Sequence, residues 1–279
     1  MGSAPNDLDL VARDLAVFWH PCSQMRDYRE FPPLVITGAR GARLRLEDGR
    51  EILDAISSWW CKALGHGHPR LVAALRAQQD AFEHVITANT TSAPLVRLCE
   101  RLLAAANGLP PSAWGPAAPP GRRPGHFGKV FLADNGSTAV EIALKMALQA
   151  QAQRGAPQRT RFVALENAYH GETAGTLSIG DLDLYAAPYR ALCFSAGRLS
   201  GLPYRRGPAD AAWLDAGGGP LDARRRTGWH VYREAVRRGA LLRPLGDTMY
   251  LFPPLTTTDA EIDELAAILG DSLDAVLGR

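Results

Sequence analysis

The sequence predicts an α/β protein, and three observations carry that reading. A strand, a tight polar turn, a helix and a second strand follow one another between 130 and 165. A strand–turn–strand run hinged at Asp48-Gly49 occupies 34–54. An amphipathic stretch over 259–277 closes the chain. The first pattern is a βαβ unit and implies a parallel sheet with a right-handed crossover. The second is an antiparallel hairpin.

Taken in order, Leu34-Val35-Ile36 and Ala42-Arg43-Leu44-Arg45-Leu46 read as short strands separated by Gly38 and Gly41, with Glu51-Ile52-Leu53-Asp54 returning after the turn. His68-Pro69 opens a helix whose apolar stripe is Leu71, Val72, Leu75, Phe82 and Val85. Ser92 is an N-cap with Pro94 in the first turn, and Leu95, Leu98, Leu102 and Leu103 form that helix's apolar face. The Gly- and Pro-rich stretch 107–127 reads as an exposed, flexible insert without a functional role. Val130-Phe131-Leu132-Ala133 is expected to be a buried strand, Asp134-Asn135-Gly136 a turn, Ser137 to Arg154 a helix, and Arg161 to Leu165 the next strand. Residues 195–226 show little periodicity. Trp229 to Arg238 reads as a helix closed by Gly239, and Ala240–Arg243 and Met249–Phe252 as strands. In the last helix Ile262, Leu265, Ala266, Leu269, Leu273 and Val276 share one face.

With 279 residues the chain can bury a sizeable core in one or two domains. Its net charge of +2 argues for neither nucleic-acid nor membrane partners. No apolar run is long enough to span a bilayer, and the N-terminal residues lack the basic and apolar regions of a secretory signal. Cys22, Cys61, Cys99 and Cys193 are scattered with no Cys-x-x-Cys pair, so neither a zinc site nor a disulfide framework is expected, and the cytoplasm is the expected compartment. Of 31 basic residues only Lys62, Lys129 and Lys145 are lysine.

The chemistry concentrates in a few segments. Gly136 and Ser137 open a helix, where free N–H groups, the helix dipole and a hydroxyl together suit a phosphate dianion; Asn-Gly-Ser in that place is also an ordinary cap. Tyr169, in Tyr169-His170-Gly171, follows the next strand and is expected at the same carboxyl edge of the sheet, where its ring can stack on a flat heteroaromatic ligand. Ser57-Ser58-Trp59-Trp60 follows the hairpin. Successive side chains of a strand face opposite ways, so at least one of Trp59 and Trp60 is available to line a pocket. Arg243 is suited to a bidentate contact with a carboxylate at a strand exit. His66 and His68 share a metal-like spacing, but no third ligand accompanies them, and their segment reads as a turn into a helix.

These segments resemble the class III pyridoxal-phosphate-dependent aminotransferases. The residues that carry the resemblance are Trp19-His20-Pro21 with Met25, Asp48-Gly49-Arg50, Ser57-Ser58-Trp59-Trp60, Gly65-His66-Gly67-His68-Pro69, Asp134-Asn135-Gly136-Ser137-Thr138-Ala139-Val140-Glu141, Tyr169-His170-Gly171-Glu172-Thr173, and Leu242-Arg243-Pro244-Leu245-Gly246 with Tyr250 and Pro253-Pro254. The Ser-Ser-Trp-Trp segment points to the branch that converts 8-amino-7-oxononanoate to 7,8-diaminononanoate in biotin biosynthesis, with S-adenosylmethionine as amino donor. The resemblance implies the type I fold, with a small α+β domain built from both chain ends (1–55 and 228–279), a large cofactor-binding domain with an incomplete parallel sheet (56–194), and an irregular join (195–227). It implies that Gly136 and Ser137 hold the phosphate of pyridoxal 5'-phosphate, that Tyr169 stacks on its ring, that Trp59 and Trp60 line the substrate pocket, that Arg243 takes a substrate carboxylate, and that the chain forms a homodimer.

The sequence also departs from the family's pattern. The Asp that pairs with the pyridine nitrogen and the Schiff-base lysine are not found after the Tyr-His-Gly segment: the match stops near Phe194 and resumes near Gly228. Lys145 lies in the cradle's own helix, roughly 12 Å along the axis from Ser137. Cys22 stands where the family carries a pocket tyrosine. Covalent attachment of the cofactor is therefore not expected, and no residue is assigned as catalytic. Two readings stand side by side: the family's transaminase, and an inactive fragment or internally deleted remnant of it.

Overall fold

Alternating apolar residues around the Asp48-Gly49 turn build the first sheet of this computed structural model, which describes residues 10–108, 127–200, 222–244 and 246–278. The elements are α1 (Leu10–Val17), β1 (Ile36–Arg40), β2 (Arg43–Leu46), β3 (Glu51–Asp54), the short turn α2 (Ser57–Trp60), α3 (Pro69–Gln79), α4 (Ala93–Ala106), α5 (Gly136–Gln153), β4 (Val163–Leu165), α6 (Ala174–Ile179), α7 (Asp183–Ala186), β5 (Gly197–Leu199), α8 (Thr227–Arg238), β6 (Ala240–Leu241) and α9 (Asp259–Leu277). They divide into two units, Met1–Glu83 with Ala211–Arg279, and His84–Asp210. Among the described residues no helix is long and apolar enough to cross a membrane.

In the first unit the sheet order is β1-β2-β3-β6. The hairpin pairs antiparallel, and Gly49 takes the positive φ, +85°, that its turn requires. β3 is central. Its other edge pairs parallel with β6, Leu53 opposite Ala240 and Asp54 opposite Leu241. Because side chains alternate across a strand, Ile52 joins Leu44 and Leu46 in one cluster, while Leu53 packs with Ala235, Ala240, Leu242, Leu265 and Ile268 in another. α8 and α9 supply the second of these clusters. α8 ends at Gly239 in the left-handed conformation (φ +106°). α9 begins with a capping box in which Thr258 and Glu261 exchange hydrogen bonds.

Three expectations are corrected in this unit. α3 ends at Gln79, so Phe82 and Val85 lie beyond it, and none of its residues is buried. Met249–Phe252 forms no strand; Phe252 instead donates one backbone bond to the Ala55 carbonyl at 2.7 Å. In α9 the buried face is Leu265, Ile268 and Ser272, whereas Ile262 and Ala266 are exposed. Leu269, from the expected face, still packs against this core, and the buried Ser272 hydroxyl is satisfied there by donating to the Ile268 carbonyl (2.6 Å).

The second unit departs further. α4 starts after Ser92 as expected, but Leu98 and Leu102 are exposed and only Ala104 is buried. Val130–Ala133, read as a buried strand, forms no strand among the described residues, and Phe131 is 67% exposed. A strand exists only where a neighbour completes its hydrogen-bond ladder, and among the described residues none does so here. β4 pairs parallel with β5, from Val163 opposite Gly197 to Leu165 opposite Leu199. The parallel pair is thus present with a different partner, drawn from the stretch read as irregular. Of the expected flexible insert, 109–126 lie outside the described residues, as do 201–221 of the expected join.

Candidate functional site

The helix start in the second unit combines a cap with a cradle. Asn135 is the N-cap of α5, its Oδ1 accepting the Thr138 N–H at 3.0 Å while the Thr138 hydroxyl accepts the Asn135 N–H at 3.2 Å. The ordinary-cap reading of Asn-Gly-Ser is therefore realised, and it consumes Asn135. It leaves Gly136 and Ser137 at the first two helical positions, whose N–H groups have no partner within the helix. A β-carbon at Gly136 would meet nothing within 4 Å, so the space in front of these donors is open. An anion fits such a donor set, with the dipole adding to it.

The Tyr-His-Gly segment closes on this helix start. A β-carbon on Gly171 would fall 2.1 Å from Ser137 Oγ, and the backbone there has φ +120°, so only glycine fits. The Glu172 N–H points at the same Ser137 oxygen, at 3.4 Å. Tyr169 is 48% exposed, donates its hydroxyl to Glu172 Oε1 at 3.0 Å, and packs its ring against Tyr185 with centroids 5.5 Å apart.

Two carboxylates that the sequence reading did not single out fix this approach. Glu141 accepts the Thr173 hydroxyl at 2.6 Å and the Gly175 N–H at 2.7 Å. The Thr173 bond, aided by the Gly175 and Thr176 amides and by Lys145 one helical turn on, holds its carboxyl below the usual glutamate range. Asp181 accepts the N–H of Asn167, which sits at φ +58°, and an Arg198 bond at 3.1 Å. Those two bonds, the amide first, depress the Asp181 carboxyl as well. A sequence signal for Glu141 existed: it follows Ser137 by four residues, and so shares its face of α5.

In the first unit Trp59, Trp60 and Arg243 come together. The Arg243 guanidinium lies 4.9 Å from the centroid of the Trp59 ring, and it donates to the Cys22 carbonyl. Trp60 faces Tyr250 at 6.4 Å. Both tryptophans are partly exposed, at 41% and 46%. The strand alternation expected for them does not apply. Ser57, Ser58, Trp59 and Trp60 have φ of 48°, 46°, 62° and 66°, a left-handed turn closed by bonds from the Trp60 and Cys61 N–H groups to the Ile56 and Ser57 carbonyls, each 2.9 Å. Non-glycine residues rarely adopt this conformation in succession, and each costs about 1–2 kcal/mol. Arg243 lies two residues past the end of β6, within reach of Cys22, rather than at the strand's own terminus. His66 takes part in a hydrogen-bond cluster with Asp54 and Ser58.

Comparison with known proteins adds the following. Residues 24–205 match the profile of class-III aminotransferases. A Synechococcus elongatus protein named adenosylmethionine-8-amino-7-oxononanoate aminotransferase is 40% identical over 186 residues, covering 67% of this chain and 38% of that protein. The crystal structure of a like-named protein from Methanocaldococcus jannaschii superposes with a TM-score of 0.80 at 18% identity, over 95% of this chain and 98% of that one. An aminotransferase from Vibrio fluvialis, solved in a PMP-bound form, superposes with a TM-score of 0.77 at 15% identity, over 99% of this chain and 100% of that one. The chain spans less than two fifths of the length of the curated relatives it matches.

Proposed function

The chain belongs to the class III aminotransferase family and has its type I fold, and from that premise we propose that it carries the ligand-binding half of an aminotransferase of biotin biosynthesis. Pyridoxal 5'-phosphate is the cofactor, 8-amino-7-oxononanoate the amino acceptor, and S-adenosylmethionine the donor. The observation that supports this reading best is the meeting of Gly171 with Ser137 at the capped start of α5. It puts a ring-bearing segment beside an anion-binding helix terminus, which is the pairing a phosphorylated aromatic cofactor needs.

The residues have separate tasks. The Gly136 and Ser137 N–H groups and the Ser137 hydroxyl hold the phosphate, while the Glu172 amide orients that hydroxyl. Tyr169 stacks its face on the pyridine ring. Trp59 and Trp60 line the substrate side, and Arg243, a planar fork of five donors of which one is committed to Cys22, takes the substrate carboxylate. When bound, the cofactor would supply an aldehyde carbon that accepts and returns an amino group, on a ring that withdraws electrons. The protein is proposed to be a cytoplasmic homodimer without nucleic-acid or membrane partners.

A second reading is favoured by one observation. The only lysines are Lys62, Lys129 and Lys145, none of which follows the Tyr-His-Gly segment, and the ring-nitrogen aspartate is likewise not found. On that reading the chain is an inactive fragment or internally deleted remnant that keeps the binding residues alone. The two separate in one experiment. The purified chain is titrated with pyridoxal phosphate, followed by absorbance, then reduced with borohydride and mapped by mass spectrometry. A lysine carrying a reduced pyridoxyl group supports the transaminase. Saturable binding with no modified lysine supports the remnant. Failure to bind at all overturns the cofactor assignment.

A further inference from the structure

The left-handed turn Ser57–Trp60 has to be held by something outside itself. A run of four non-glycine residues in this region persists only where the surroundings over-determine it. Backbone bonds from the Trp60, Cys61 and Lys62 N–H groups to the Ile56 and Ser57 carbonyls close the turn, but they leave the strain of its left-handed residues to be offset. The side chain that makes the most bonds to the turn from outside it is Asp54, at the end of β3, which is 1% exposed.

The Asp54 carboxylate is saturated. Oδ1 accepts the Ser58 N–H at 2.9 Å and the Ile56 N–H at 3.4 Å, and Oδ2 accepts the Ser58 hydroxyl at 2.7 Å and the His66 Nε2 at 2.9 Å. The same His66 Nε2 lies 3.3 Å from the Ser58 hydroxyl, so the three side chains form one cluster. His66 is itself pinned to the sheet by reciprocal backbone bonds with Gly41, at 2.8 and 3.0 Å. Next to Asp54's network, the Ser57 hydroxyl donates to the Phe252 carbonyl at 2.7 Å. The result is a rigid path from the central strand, through Asp54 and Ser58, to the Trp59 ring on which Arg243 rests.

We infer that Asp54 and His66 are positioning residues: they lock the left-handed turn and so set the Trp59–Arg243 stack that receives the substrate carboxylate. The inference rests on the proposed roles of Trp59 and Arg243. The aspartate is too buried to meet substrate. It acts through the turn, and His66 holds its second oxygen in register.

The test uses the full chain and the near-ultraviolet circular dichroism of Trp59, assigned as the wild-type spectrum minus that of Trp59→Phe. Asp54→Asn keeps the volume and the oxygen that accepts the Ser58 and Ile56 amides, but places a donor where the Ser58 hydroxyl and His66 need an acceptor. Ser58→Ala removes one hydroxyl only, and decides the matter if Asp54→Asn does not fold. His66→Gln removes the ring. The expected result is a loss of at least about twofold in the Trp59 band with the far-ultraviolet helix signal retained. An unchanged Trp59 band in folded Ser58→Ala and His66→Gln overturns the inference. Binding of 8-amino-7-oxononanoate to Arg243→Lys, measured by calorimetry, is the separate arm. Undiminished binding there overturns the substrate reading, whereas the Trp59 band judges the positioning role whatever that arm shows.

Discussion

Strands β3 (Glu51–Asp54) and β4 (Val163–Leu165) have opposite surroundings. β3 lies between β2 and β6, and its Ile52 and Leu53 are fully enclosed by two clusters. β4 pairs with β5 alone among the described residues, and Val163 on its face is 72% exposed. The first unit therefore carries Trp59, Trp60 and Arg243 on elements joined to a packed core. The second holds its cradle by polar tethers, with Glu141 and Asp181 each gathering several donors across the segments they join. An apolar pattern states which face seeks cover; whether cover arrives depends on the rest of the chain.

The sharpest way to break this contrast is a matched pair of truncations. Leu53→Ala should cost the first unit about 2–5 kcal/mol, read from the denaturant midpoint, while Leu165→Ala on half-exposed β4 should cost less than about 0.5 kcal/mol. Equal losses would show that the two sheets are equally enclosed in solution. Next in size is Gly171→Ala, which forces a β-carbon onto Ser137 and should cost about 1–3 kcal/mol of local strain. Hydrogen exchange should accelerate in α6 and the first turn of α5, and pyridoxal phosphate binding should be lost. Gly136→Ala has room for its methyl group, so it should leave stability within about 0.5 kcal/mol while weakening phosphate binding.

The caps give a smaller and more even effect. Asn135→Ala and Thr258→Ala each remove an N-cap worth about 1 kcal/mol. For Thr258 the loss should appear in the global midpoint, because α9 is part of the core; for Asn135 it should appear as local exchange at the start of α5. The smallest effect is acid sensitivity of the second unit. The folded Glu141 carboxyl lies below its ordinary value of 4.5, so its stabilisation is present above that pH and fades as pH falls through the lowered folded value. Amide exchange at Gly175 and Thr176 should therefore rise as pH falls below 4.5, and Glu141→Gln should show no such rise in that range.

Local chemistry was largely legible. The Asp48-Gly49 hairpin, the Pro69 and Asp259 helix starts and the Gly239 stop follow from capping and turn rules that involve only near neighbours. Gly136, Ser137 and Tyr169 read as one group in the sequence, and in the structure Gly171, two residues past Tyr169, comes against Ser137. Val130–Ala133, the strand expected to align them, is not paired among the described residues. Trp59 and Trp60 were identified, but on the premise of a strand. No residue in Ser57–Trp60 announces a left-handed turn, because its cause is Asp54 and His66, outside the turn itself.

The residues alone therefore determined where most helices begin and where the chain turns, since those depend on bonds a few positions long. Only the tertiary structure decided that β4 takes β5 as its partner, that Glu141 ties α5 to the Tyr-His-Gly segment, and that a buried aspartate gathers the bonds of the tryptophan turn. Each of these is a contact between positions distant in sequence or hidden from solvent. Its energy exists only once the fold has brought the partners within hydrogen-bonding distance.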